Sequence, residues 1–314
     1  DLARGARGAP SPTLERLLAR LERRLTLRLG GEPDADPWES PGAFHGWGSW
    51  YYGLVRAHVA LGDRAAVSRA VSLVEGLDVD HLDAVTGDVI DGPAGLLAVL
   101  GSTPAWAMTP ALARLMRAVA LRVGAQLTGG DTPGPAPLRP EGATGLDALP
   151  AGRTGVVWSL CRAARQLGDA TLAPADALVQ QALPPEPGVG PAGQAALLLD
   201  LADHAPVARD AAVHHATAVL DRMGAPATGA ELLEAGELAL GLARLTMDAR
   251  YLATARRFGA GLVARRAATG RWFPERLASD RHLVSAISGT ASVAHLCLRL
   301  AEPGRHASIR LLGC

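Results

Sequence analysis

The chain has 314 residues, 48% of them hydrophobic and 20% charged, which marks a globular chain able to bury a core. Its 31 basic residues, all Arg, are scattered and matched by 31 acidic ones, so net charge is zero and a nucleic-acid-binding role is excluded. No apolar run reaches the ~18 residues of a membrane span and no signal-peptide pattern is present, so the expectation is a soluble, cytoplasmic protein.

Aromatics are only 4%, strand-like runs are absent, and Ala, Leu and Arg dominate, which favours helix. The absence of Lys reads as the codon bias of a GC-rich genome. Cys161, Cys297 and Cys314 are far apart and odd in number, which argues against a disulfide framework. The chain starts on Asp1 rather than Met, as a segment of a longer chain would.

Residues 1–12 read as a flexible lead-in, and 13–314 as one domain. Thr13 to Leu29 has Leu at helical spacing between Arg and Glu. Gly30 to Pro41 is a loop. Gly42-Ala43-Phe44-His45-Gly46-Trp47-Gly48-Ser49 then opens an apolar helix that runs to about Leu61. Asp63 to Leu77 is amphipathic, with Asp63 as its cap. Gly87-Asp88-Val89-Ile90-Asp91-Gly92-Pro93-Ala94-Gly95 opens a second apolar helix, Asp88 to Leu100. Its carboxylates sit at the helix mouth, where the dipole favours them, and its small residues permit close packing.

Pro110 to Leu127 is amphipathic again, and Gly129 to Pro150 is a Gly- and Pro-rich surface excursion. Gly152-Arg153-Thr154-Gly155 opens the third apolar helix, to about Leu167, followed by an outer helix over Ala170 to Leu183. Gly188 to Gly193 opens the fourth, to Ala202, with Val207 to Met223 outside it. Glu231 to Leu245 is the fifth, with Asp248 to Arg266 outside. The loop Gly270 to Asp280 carries Arg271, Trp272, Glu275 and Arg276. Ile287 to Ser292 opens the sixth, to Leu300, and Arg305 to Cys314 is a tail.

A two-helix unit thus recurs about every 50 residues. Six all-round apolar helices inside and six two-faced ones outside predict an all-α (α/α)6 toroid. In that arrangement Trp38, His45, Asp88, Asp91, Arg153, Glu186, Glu231, Glu234, Asp280, Arg281 and His282 line one cavity. The competing architecture is an open α-solenoid whose glycines serve packing alone.

Taken in order, these openings resemble a known family. Gly42 to Ser49 is similar to the start of the cyclase domain of class II lanthipeptide synthetases. Asp88 to Gly95 is similar to that family's Asp-containing helix start. Ile287 to Val293, followed by Leu298-Arg299-Leu300-Ala301-Glu302-Pro303, looks like its closing motif. The resemblance covers roughly residues 13 to 314. It implies addition of a Cys thiol to a dehydroalanine or dehydrobutyrine made earlier by a dehydratase. Most such cyclases hold a zinc that lowers the thiol pKa.

Here the positions that correspond to the three zinc ligands are Gly188, Glu234 and Ala235, and the position of the family's His ahead of the third opening is Ala151. The expectation is therefore a LanC-like domain without metal or other cofactor. Cyclase domains fused to kinase-like dehydratases also resemble this fold and lack those ligands. On this reading Asp88 or His45 takes the thiol proton and Arg153 stabilises the developing enolate. Asp91, Trp47, Glu234, Trp272 and His282 contact the substrate, a dehydrated precursor peptide. A dehydratase or other modifying enzyme is the expected protein partner, with neither nucleic acid nor membrane.

Each residue also has a structural role open to it. Asp88 and Asp91 suit helix caps, and Arg153 suits an ion pair with Asp147 or Glu141. Trp47, Trp50, Tyr51 and Tyr52 at helical spacing suit a core. Glu234, with Glu231 and Glu237, suits either a new acid or base or a solvated face. A scaffold that binds the precursor or a modifying enzyme competes with catalysis. A carbohydrate-active (α/α)6 barrel pairing Asp88 or Asp91 with Glu234 is disfavoured by the few aromatics. A terpene cyclase is disfavoured because Asp88-Val89-Ile90-Asp91 has no partner motif.

Overall fold

The computed structural model describes residues 12–30, 41–43, 46–79, 89, 92–128, 153–181, 191–226, 228–272 and 290–302. The lead-in, the excursion 129–150, most of the loop after Trp272 and the tail lie outside them. Among the described residues every regular element is a helix, and no helix is long and apolar enough to cross a membrane.

In chain order the helices are α1 (Pro12–Gly30), α2 (Trp47–Leu61), α3 (Arg64–Val74), α4 (Pro93–Leu100), α5 (Pro110–Thr128), α6 (Arg153–Leu167), α7 (Asp176–Gln181), α8 (Pro191–His204), α9 (Arg209–Met223), α10 (Gly229–Thr246), α11 (Ala249–Thr269) and α12 (Thr290–Ala301). Short 3-10 turns cover Ala105–Ala107, Ala170–Leu172 and Pro206–Ala208. Two boundaries depart from the sequence expectation. The second apolar helix starts at Pro93 rather than Asp88, because Pro with its preset φ belongs in a first helical turn. The outer helix expected over Ala170 to Leu183 breaks into a 3-10 turn and the short α7, with Pro174 between them.

Local chemistry explains the other ends. Asp63 accepts from Ala66 N (3.0 Å) and caps α3 as expected. Thr109 Oγ1 accepts from Leu112 N (3.0 Å) at the head of α5 while donating to Glu75 (2.6 Å). Thr228 and Glu231 form a reciprocal capping box on α10. Glu231 thus serves as a helix cap. Gly62 and Gly270 end α2 and α11 in the left-handed region, and Met247 does the same for α10 at φ 59°.

The helices gather into two compact units, Asp1–Pro135 with Ser159–Ala173, and Ala136–Trp158 with Pro174–Cys314. In the first, α2 packs on α1, α3 and α4, and α4 packs on α5. In the second, α8 packs on α9 and α10, and α10 packs on α9, α11 and α12. The glycine-opened helices are the buried ones. All of α4 is buried, and so is most of α10. The intervening α3, α9 and α11 bury one face each.

Glycines set the spacing of these buried helices. A Cβ on Gly95 would lie 2.6 Å from Ala43 N and closer still to Val89 O; one on Gly48 would lie 2.7 Å from Gly42 O and closer to Pro41 O. In the second unit a Cβ on Gly241 would lie 2.8 Å from the Leu199 side chain, and one on Gly236 3.0 Å from Leu296. By contrast, nothing lies within 4 Å of a Cβ on Gly124, inside α5. Gly95→Ala is expected to destabilise the protein by about 1–3 kcal/mol in urea unfolding, because backbone cannot swing aside as a side chain would. Gly124→Ala is expected to stabilise it by roughly 0.5–1 kcal/mol through helix propensity.

Candidate functional site

In the first unit the candidate residues belong by sequence to the approach to α2 and the approach to α4. Ala43 N donates to Val89 O at 3.2 Å, so the two approaches touch at this pair. Gly95, on the first turn of α4, packs against both partners of that bond. His45 lies two residues beyond Ala43 in sequence, Asp88 one residue before Val89 and Asp91 two after it. These three, with His282, lie outside the described residues. The N-cap position of α4 is Gly92, followed by Pro93 in its first turn. Arg153 is the first residue of α6, and its side chain also lies outside the description.

The aromatic residues behind these openings are core. Trp47, expected to contact substrate, is 1% exposed and Tyr51 is fully buried; neither presents a wall to a ligand. Trp50 and Tyr52 are half-buried. The Tyr51 hydroxyl shares a hydrogen bond with Thr103 Oγ1 (2.8 Å), and Gln166 Nε2 donates to Thr103 O (2.9 Å). Burial pushes the Tyr51 phenol well above its ordinary value; the Thr103 bond opposes this, and the Glu75 charge adds to it.

The second unit contains a polar network that sequence reasoning did not assemble. Trp158 Nε1 on α6 donates to Asp200 Oδ2 on α8 at 2.7 Å. His204 Nε2, one turn along, is 3.7 Å from the same carboxylate oxygen. Arg244 on α10 is 4.0 Å from Asp200 Oδ1 and pairs closely with Asp203. Deeper in, Glu237 on α10 pairs with Arg299 on α12, both nearly inaccessible. Burial pulls the Arg244 guanidinium below its ordinary value, while Asp200 opposes and Arg299 reinforces the shift. Three carboxylates thus face two guanidiniums and an imidazole across α8, α10 and α12. The signal available in sequence was a charge inside an apolar helix: Asp200 in Leu197-Leu198-Leu199-Asp200-Leu201, Arg299 between Leu298 and Leu300.

Glu234 and Glu237 are both buried on α10. This overturns the solvated-face reading, because no carboxylate that deep belongs to a hydrated surface. Trp272 is half-buried just past the end of α11. Among the described residues no three His, Cys, Asp or Glu gather to hold a metal ion. Gly188 and Ala235, at two of the positions where the resemblance places zinc ligands, carry no donor side chain. Cys161 is buried, and burial pushes the half-buried Cys297 thiol up, away from the reactive thiolate. Compared with models of known protein families and with curated proteins, the chain matches none.

Two measurements follow from these side chains. Arg299→Met is expected to cost about 3–5 kcal/mol in urea unfolding, and Glu237→Met combined with Arg299→Met to recover most of it, since the loss comes from burying one charge without its partner. At alkaline pH the sign is set by Tyr51. Its phenol ionises near 10.0 when unfolded and stays protonated higher when folded. The associated stability is present below pH 10.0 and lost as pH rises beyond it, at about 1.4 kcal/mol per pH unit. In a Cys297→Ala background, which removes the thiol that burial also pushes up, Tyr51→Phe should lessen that slope, read from unfolding midpoints between pH 9 and 11. The chain has no Lys to obscure it.

Proposed function

We propose that this chain is a zinc-independent, LanC-like cyclase acting in the maturation of a ribosomally made peptide, with its two-helix units closing into an (α/α)6 toroid. The observation that carries the reading is the Ala43–Val89 backbone bond. It joins the approaches to the first two glycine-opened helices, the stretches that hold His45 and Asp88. The alternation of buried and two-faced helices, with glycines at the tight contacts, supports the toroid.

The chemistry asked of these residues is a conjugate addition. A base, Asp88 or His45, takes the proton from a substrate Cys thiol. The thiolate adds to the β-carbon of a dehydroalanine or dehydrobutyrine, forming the C–S bond while the alkene pair moves toward the carbonyl. Arg153 stabilises the resulting enolate, and a proton returned to the α-carbon completes the thioether. No electrons are gained or lost overall. Holding thiol and alkene together supplies much of the rate by proximity. The partners of such a domain are a dehydrated precursor peptide and the dehydratase that makes it.

The absence of donor atoms at Gly188 and Ala235 favours a second reading, a non-catalytic scaffold for the precursor or a modifying enzyme. Free thiols of a dehydrated Cys-containing precursor, counted by alkylation and mass spectrometry in the presence of chelator, separate the two. The cyclase reading expects thiol loss that requires the protein and falls at least about 100-fold in rate with Asp88→Asn. Binding of the peptide without thiol loss would replace it with the scaffold, and neither effect would end both readings.

A further inference from the structure

The helix α9 seats a histidine in a place that does not suit a charge. Its buried stripe is Ala212, Ala216, Val219 and Leu220, and His215 lies half-buried on one flank of that stripe. Its Nε2 is fully buried, and among the described residues nothing hydrogen-bonds to it. A neutral imidazole tolerates this. An imidazolium carries N–H on both nitrogens, so protonation would leave a buried donor without an acceptor. The charges on that flank are of the wrong sign as well. Arg222, two turns on, lies about 20° around the helix from His215, while the acids Asp210 and Asp221 lie roughly 140° and 120° away. His214 is next in the chain and exposed. The helices packed on α9 are α8 and α10. On α8 the charged groups are Asp200, Asp203 and His204, engaged with Trp158 and Arg244. On α10, Glu231 caps the helix with Thr228, Glu237 holds Arg299, Arg244 holds Asp203, and Glu234 is buried. On α11, Tyr251 shares a hydrogen bond with Thr217, on the other flank of α9. Among the described residues no carboxylate pairs with His215. Burial, then Arg222 and His214, hold the imidazole below its ordinary value.

We propose that His215 is an acid-sensitive latch: α9 stays seated on α8 and α10 while His215 is neutral and loosens from them when it takes up a proton. The sign follows from linkage. In an unfolded chain the side chain ionises near 6.5, and seated in α9 it ionises lower. Its contribution to stability is whole above pH 6.5 and is lost as pH falls below it, because the released helix binds the proton more readily. At pH 5.5 a released imidazole is about ten times more often charged than neutral, which limits the effect of this one group to about a tenfold rise in the open population. Loosening bares Ala212, Ala216, Val219 and Leu220, so mild acid exposes an apolar stripe that is covered at neutral pH. The latch operates whether the chain is a catalyst or a scaffold.

The test is amide hydrogen exchange of the whole chain at about pH 7.5 and 5.5, corrected for intrinsic rate and read by mass spectrometry. Peptides from α9 are compared with peptides from α5, which has no His. In the parent, acid should lower the protection of α9 about two- to tenfold more than that of α5, and this excess should vanish in His215→Gln. Arg222→Gln, an exposed change that removes a like charge, should lessen the excess without abolishing it. Circular dichroism at neutral pH should match the parent for both variants. In proton NMR, the imidazole signal missing from His215→Gln should titrate in the parent with a midpoint below 6.5. The proposal is overturned by an α9 response no larger than that of α5, by an excess that persists in His215→Gln, or by a midpoint at or above 6.5. If His215→Gln does not fold, Arg222→Gln carries the test, and an excess that it leaves unchanged overturns the proposal too.

Discussion

Gly95 has no room for a side chain, and much of the first unit follows from that. The backbone of α4 comes close enough to Ala43 and Val89 that even a methyl group would overlap them. Gly48 holds the same position toward Pro41 and Gly42 at the head of α2. Close approach of backbone to backbone brings the described ends of the two helix openings together, with the Ala43–Val89 peptide hydrogen bond between them. Behind that contact an all-apolar α4 and the rings of Trp47 and Tyr51 fill the interior. A site built from flanking residues of two such openings inherits its geometry from packing rather than from the flexibility of long loops.

The second unit uses a different means of fixing its helices. Its small residues meet leucine side chains, which can shift by a few tenths of an ångström, so glycine there is less strictly required. Precision comes instead from charges. Asp200 is gripped by an indole, Arg244 reaches Asp203, and Glu237 meets Arg299 deep in the interior. Burying such groups is costly unless each finds its counterpart, so the arrangement tolerates few alternative registers between α8, α10 and α12.

The pattern of apolar and charged residues was enough to read most helices, because the 3.6-residue period is strong in α1, α3 and α5 and because Asp63 and Asp248 cap their helices. It misled at Asp88, where a favourable dipole argument outweighed the plainer rule that Pro93 belongs in a first turn. It misled again at Ala170 to Leu183, where Pro174 interrupts an otherwise helical stretch. The polar network was illegible for a physical reason. Partnership between Trp158 and Asp200, or between Glu237 and Arg299, depends on which helices become neighbours, and periodicity within one helix carries no such information. The same holds for the aromatics near the first opening. Spacing fits either a core or a binding wall, and only the depth of Trp47 and Tyr51 decides between them. The resemblance to lanthipeptide cyclases rests on ordered glycine motifs, which speak to architecture more directly than to chemistry.

The pairing of Glu237 with Arg299 also bears on how the chain is made. The two residues are 62 positions apart, so a ribosome adding about 5–20 residues per second places Glu237 roughly 3–12 s before it supplies the guanidinium. Throughout that interval α10 has a carboxylate on its inward face without the partner that allows it to be buried. The helix must stay hydrated there, and its neighbouring leucines with it, until α12 emerges. Completion of the second unit is thereby timed by its last described helix, and the nascent chain depends for those seconds on whatever shields an exposed apolar surface in the cell.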